Sequence, residues 1–134
     1  MKIKILIWGF LFLFLIACEK ENEWSTLPGL PEPEETPIAN VIMFEGPIYE
    51  DGNLIFTYKG VVKNVGNKLA EYVKIYIYIR KSDSSLITYD YMYADDPHLN
   101  PGETSPWSLI FWDDDKKIRN QMDKSKMTYE IKWD

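Results

Sequence analysis

One cysteine, Cys18, and one histidine, His98, are all that 134 residues contain of either type. A lone thiol excludes an internal disulfide and a multi-thiolate metal site, and a lone imidazole excludes the multi-histidine zinc and iron centres. Basic residues are also scarce: 15 Lys and Arg stand against 21 Asp and Glu, a formal charge of −6. Nothing in that balance suits a phosphate backbone, so no nucleic-acid partner is expected. Nor is there an apolar run of the roughly 20 residues that a bilayer-spanning helix needs. What is abundant is apolar and aromatic side chain, at 46% and 15%, which is too much for a disordered chain and enough for one small domain.

The chain divides into three parts by composition. Lys2 and Lys4 precede an apolar run from Ile5 to Ala17, which reads as a signal peptide over residues 1–17. Residues 18–37 hold Pro28, Pro31, Pro33 and Pro37 and six glutamates against the single cation Lys20. Proline and like charge favour an extended tether, and its nineteen residues after Cys18 would reach roughly 60 Å at about 3.1 Å each. Residues 38–134 contain all nine tyrosines and read as the folded domain. Removing residues 1–17 would leave 13 cationic and 21 anionic side chains, a charge of −8.

The apolar run closes on Leu15-Ile16-Ala17-Cys18. This tetrapeptide resembles the lipobox of bacterial lipoproteins, which implies cleavage before Cys18, a diacylglycerol thioether on its sulfur and an acyl group on its new amine. Two or more chains anchor stably at about 0.8 kcal/mol per buried CH₂, so the resemblance implies a membrane partner reached through lipid, in the bacterial cell envelope at the outer membrane. Glu19-Lys20-Glu21-Asn22-Glu23 is similar to the acidic, lysine-containing export signal of surface lipoproteins, which implies surface exposure.

The domain reads as short strands. From Glu71 to Lys81, Val73, Ile75, Ile77 and Ile79 alternate with Tyr72, Lys74, Tyr76, Tyr78 and Arg80, and β-branched residues at period two predict a strand with a core face. Asn53 to Lys63 predicts a second, with Leu54, Phe56, Tyr58 and Val62 on one face, joined through Asp51-Gly52 to a strand over Val41–Ile48. Gly60 within that pattern marks a bulge or a close backbone approach. Leu86 to Ala94 predicts a fourth, with Ile87, Tyr89, Tyr91 and Tyr93 on one face. Asn100-Pro101-Gly102-Glu103 is a type II turn signal. Trp107–Trp112 and Met127–Trp133 complete the strands, and the intervening stretch reads as one short helix near 114–122, its aspartates at the N-terminus. Six or seven strands with turn signals between them predict an all-β fold, a β-sandwich.

Gly60-Val61-Val62-Lys63-Asn64-Val65-Gly66, then Ala70, the Val73–Ile79 strand and Leu99-Asn100-Pro101-Gly102-Glu103 ahead of Phe111 together resemble the FxLYD-type domain, an immunoglobulin-like β-sandwich. The likeness covers about residues 54–112. The tyrosine–aspartate pair of that family is replaced here by Arg80-Lys81, with Asp83 following. The resemblance implies a binding or structural module and carries over no catalytic residue.

Candidate chemistry is sparse. His98 follows Asp95-Asp96-Pro97, but no nucleophile motif accompanies it, and it reads as a solvated loop histidine. Asp113-Asp114-Asp115 has calcium-type ligands, yet Ile118 stands where an EF-hand loop needs glycine, so a solvated turn or helix start is the better reading. Lys116, Lys117, Arg119, Lys124 and Lys126 form a charge-mixed stretch with Asp113–Asp115 and Asp123. No catalytic residue, no metal ligand and no cofactor is expected. The candidate binding surface is the stripe Tyr72, Tyr76 and Tyr78, since tyrosine buries a large ring while keeping a polar tip. The plain alternative is tyrosines that favour an exposed strand face and pack on their neighbours. The expected function is a non-catalytic, lipid-anchored binding or assembly module with an envelope protein as partner. The rival is a carbohydrate-binding lipoprotein using the stripe and Trp107 or Trp112 as stacking platforms.

Overall fold

The computed structural model describes residues 35–134. The signal-like run, the lipobox with Cys18 and the tether up to Glu34 lie outside the described residues. From Thr36 to Asp134 the chain forms one compact unit, and it is all-β.

Six strands follow in order: β1 (Val41–Asp51), β2 (Ile55–Asn64), β3 (Lys74–Arg80), β4 (Leu86–Tyr93), β5 (Thr104–Trp112) and β6 (Thr128–Lys132). They build two antiparallel three-stranded sheets, β1-β2-β5 and β4-β3-β6, packed together as a sandwich. β1–β2 and β3–β4 are hairpins, whereas the chain changes sheet from β2 to β3, from β4 to β5 and from β5 to β6. Among the described residues no helix is long and apolar enough to cross a membrane.

Alternation places the core where period two demands it. Ile75, Ile77 and Ile79 of β3 are buried, as are Phe56, Tyr58 and Val62 of β2 and Trp107, Leu109 and Phe111 of β5. Phe56 and Phe111 stack at 5.0 Å between centroids, and Tyr58 meets Phe111 edge-on at 6.5 Å. Each such side chain contributes on the order of 1.5–3 kcal/mol through its burial. Opposite Trp107 stands Gly60. A Cβ there would run into the Glu45 carbonyl and the indole, so the glycine answers a close backbone approach beside the register shifts of β1. At the other turn, Gly102 has φ of +83° and Glu103 N–H donates to the Asn100 carbonyl at 3.0 Å, closing the expected turn.

Asn64 ties the sheets' connections together. Its side chain is fully buried: Nδ2 donates to the carbonyls of Lys68 (2.7 Å) and Leu99 (2.8 Å), while Oδ1 accepts from Gly66 N (3.0 Å) and Asn40 N (3.3 Å). One amide thus satisfies groups from three segments of chain.

Three expectations are corrected. No helix forms over 114–122: Asp113 leaves the helix path to serve as a buried acceptor, the segment runs as turns, and a 3₁₀ turn falls later, at Lys124–Lys126. Leu54 is half exposed because β2 starts at Ile55 and Leu54 belongs to the hairpin turn. Ile87 does not share the tyrosine face. It lies at a register shift between Ile79 and Arg80 and packs against the core, since a bulge reverses the alternation.

Candidate functional site

The outer face of β4-β3-β6 carries the aromatic surface. Tyr76 pairs with Tyr91 across β3–β4 and Tyr78 with Tyr89. Directly opposite partners on one face are in contact distance, so the rings meet: Tyr76 and Tyr91 stack at 5.0 Å, Tyr78 and Tyr89 at 5.6 Å, and Tyr76 and Tyr78 at 6.5 Å along the strand. Cations border the rings. Lys132 Nζ lies 4.8 Å from the Tyr76 centroid, Lys74 Nζ 5.1 Å from Tyr93, and the Arg80 guanidinium 5.9 Å from Tyr78. The Tyr78 hydroxyl donates to Glu130 Oε2 at 3.0 Å, and that bond raises the phenol above its ordinary pKa.

The stripe differs from its expected form in two respects, the first at its middle rings. Tyr76 and Tyr78 are half-buried, not open, because the β4 rings and the β6 side chains flank them. Tyr91 stacks on Tyr76 and Lys132 Nζ lies near its ring, and the remaining part of Tyr76 borders open space at the end of the β3–β6 pair. The open aromatic surface belongs to Tyr89, Tyr91 and Tyr93, exposed by 56%, 47% and 42%. Alternation had grouped those three on one strand face, but nothing local to β4 says which β3 residues lie beside them.

Tyr72 is placed apart, before β3 begins. Its φ is +53°, a left-handed conformation uncommon for a non-glycine residue, and its ring is half exposed with His98 set edge-on at 5.0 Å. Tyr72 and Tyr76, with Lys74, Ile131, Lys132, Trp133 and Asp134, line an open cleft of about 390 Å³ at the end of the β3–β6 pair. The Lys74 ammonium is held above its ordinary pKa by a hydrogen bond from its side chain to Tyr93 and by the Tyr93 charge environment, against a small opposing effect of burial. Among the described residues it makes no ion pair, whereas Lys132 is bridged to Glu130 at 3.4 Å.

Other candidates are placed as follows. Trp107 is buried in the core and offers no platform; Trp112 is 75% exposed, on the outer face of the opposite sheet. Asp113 is not solvated: its carboxylate accepts from the N–H groups of Ile118 and Arg119, both at 2.9 Å, and from Arg119 Nε at 3.0 Å. Burial pushes this carboxyl up, but those donors and the guanidinium charge outweigh it and hold the pKa below 3.8. Arg119 accordingly leaves the charge-mixed surface and folds inward, while Lys124 lies 3.7 Å from the Tyr49 ring centroid. Among the described residues no cluster of three His, Cys, Asp or Glu is arranged to hold a metal ion.

The architecture defines a small all-β, two-sheet domain with an aromatic outer face. No family model matches the chain, and no curated protein matches it. Among solved structures it is similar to part of a β-glucosidase from Kluyveromyces marxianus, at 19% identity and a TM-score of 0.34, over 57% of this chain and 9% of that one. A likeness of that size carries no argument about fold or activity.

Proposed function

We propose that this chain is a non-catalytic binding or assembly module of the bacterial envelope, held at a membrane by lipid on Cys18, with the outer face of β4-β3-β6 as its binding surface. The observation that carries the reading is the concentration of Tyr76, Tyr78, Tyr89, Tyr91 and Tyr93 with Lys74, Arg80 and Lys132 on one face. Tyrosine and arginine concentrate binding energy at interfaces, because a stacked ring loses little entropy on contact and its hydroxyl remains available. The anchor rests on Leu15-Ile16-Ala17-Cys18, and the FxLYD likeness rests on residues 54–112.

Crosslinking in intact cells tests the surface. The wild-type chain should yield specific adducts that the Tyr89→Ser, Tyr91→Ser double variant loses while keeping its thermal midpoint. Adducts unchanged in the double variant would defeat the reading. For the anchor, Cys18→Ala should abolish fatty-acid labelling and membrane partition; labelling that persists would overturn it.

A second reading, carbohydrate binding, is favoured by one observation: the cleft beside Tyr72, where an aromatic ring and charged side chains border an open volume.

A further inference from the structure

We propose that the free edge of β6 pairs with the same edge of a second copy of this chain, antiparallel and about a two-fold axis at Ile131, so that two β4-β3-β6 sheets become one of six strands. Main-chain groups along the edge carry this pairing, so it stands apart from the reading of the aromatic face as a binding surface.

The two sheets have four edges, and three of them are blunted. β1 holds Pro47, which has no N–H, within a register shift between Glu45 and Ile48. In β4 the outward N–H of Tyr91 is taken by Asp90 Oδ1 at 2.8 Å. In β5 Pro106 again lacks an N–H, its carbonyl accepts from Asp95 N at 3.0 Å, and Ser108 N–H donates to Met92 Sδ at 3.2 Å. Proline, bulges and occupied main-chain groups all keep an edge from adding a strand.

β6 has none of these. Val73 N–H donates to the Pro97 carbonyl and its own carbonyl accepts from Ala94 N, both at 3.0 Å, so the alternate residues Lys74, Tyr76 and Tyr78 turn their main chain to β6. Glu71 N–H and Asp134 N–H each donate to the other residue's carbonyl, at 3.1 and 2.9 Å, which sets the phase on the partner strand. Thr128, Glu130 and Lys132 therefore face β3 with their main chain, and Tyr129, Ile131 and Trp133 face away from it. Among the described residues, no N–H or carbonyl of those three has a hydrogen-bond partner, and four of the five β6 residues are exposed. Such a row of free groups is what an added strand needs.

Charge on the edge selects a second copy as the added strand. An axis at Ile131 sets Ile131 against itself and Tyr129 against Trp133 of the second copy, so that every outward main-chain group finds a partner. Glu130 then lies opposite Lys132 of the second copy, twice by symmetry, at positions without main-chain bonds where side chains come closest. Both stand on the outer face, where Glu130 is already 3.4 Å from its own Lys132, so each carboxylate would sit between two ammonium groups. An axis at Glu130 or Lys132 would instead set like charges face to face, and one at Tyr129 would leave Trp133 unpaired. Opposite charges and aromatic pairs across strands stabilise a sheet, and like charges destabilise it. An edge of one sign repels its own copy; this edge complements it.

The test is capture between two differently tagged copies of the full-length chain, co-expressed and extracted in mild detergent. Wild type should capture wild type. Glu130→Lys and Lys132→Glu should each capture a copy of itself roughly tenfold less, because two favourable cross-strand pairs become two repulsive ones. A Glu130→Lys copy should nevertheless capture a Lys132→Glu copy as well as wild type captures itself. Both residues are exposed, so each variant should keep the wild-type thermal midpoint. Tyr129→Pro removes an outward N–H, leaves the bonds to β3 in place and should also abolish capture. Undiminished self-capture by the single variants, or no recovery in the mixed pair, would overturn the pairing. Failure of wild type to capture itself would overturn it outright, and if Tyr129→Pro then removed the crosslinked adducts of the wild-type chain, the edge would belong to an extended segment of a different protein.

Discussion

Arg119 Nε lies 3.0 Å from Asp113 Oδ2, a contact that ties the loop behind β5 to its own root. The same guanidinium reaches Asp51 Oδ1 at 3.0 Å, the Asn53 carbonyl at 3.0 Å, the Asp113 carbonyl at 2.7 Å and the Gly52 carbonyl. One planar, multiply donating group therefore clamps the β1–β2 hairpin turn to the segment that replaces the expected helix. Arginine suits this role because its donors are fixed in a fork, which a lysine ammonium cannot reproduce.

Acid should loosen this clamp. The folded-state pKa of Asp113 is depressed, so its contribution to stability is complete above the ordinary value of 3.8 and is lost as pH falls through the lower folded value. Asp113→Asn should therefore be less stable than wild type near neutrality, with the gap narrowing as pH drops below about 4. Urea unfolding across that range measures it. A gap independent of pH would show that the charge on Asp113 is immaterial.

Asn64→Ala should cost more than a typical surface change. It removes two donors and an acceptor from a fully buried position and strands the Lys68 and Leu99 carbonyls and the Gly66 N–H. Buried groups left unpaired cost about 1–3 kcal/mol each, so a loss of at least about 2 kcal/mol in chemical denaturation is expected. A loss under about 0.5 kcal/mol, the level of an ordinary surface substitution, would mean the amide is not a structural tie.

Tyr58→Phe should be neutral or stabilising. Among the described residues the buried Tyr58 hydroxyl has no hydrogen-bond partner, and burial raises its pKa. Removing an unsatisfied buried polar group relieves a penalty of about 1–3 kcal/mol at most, while the ring contacts with Phe56 and Phe111 remain. A marked loss of stability would indicate a partner for that hydroxyl, such as a buried water.

The two faces of β3 should respond differently. Ile77→Ala should cost about 2–5 kcal/mol by opening a cavity in the core. Replacing Tyr76 and Tyr78 with Ser should have an intermediate cost, since both rings are half-buried against β4 and β6. Thermal melts of the three proteins set the order. A double tyrosine variant as unstable as Ile77→Ala would place those rings in the core's energetics.

Much of the fold was legible because its signals are local. The alternation of Ile75, Ile77 and Ile79 with polar neighbours marks both strand and core face within seven residues. Gly102 after Pro101 marks a turn needing positive φ. The segment from Asp113 to Met122 misled for the same reason. Three aspartates ahead of Ile118 and Met122 fit a helix start, but nothing nearby reveals that Asp113 is required by Arg119 and that Arg119 is required by the β1–β2 turn. Of the candidate site, Tyr76 and Tyr78 were found from β3 alone, while their stacked partners were not joined to them.

By itself the sequence determined the all-β class, the order of the strands, the inward face of β3 and the turn at Gly102, because period two and backbone φ are properties of a few consecutive residues. Tertiary structure alone decided that Tyr91 lies on Tyr76 and Tyr89 on Tyr78, that Ile87 turns inward at a bulge, that Trp107 is core while Trp112 is open, and that Arg119 closes over Asp113. Those outcomes depend on register and on which sheet each strand joins. Both are set by the packing of residues far apart in the chain, where a shift of one position exchanges every inward side chain for an outward one.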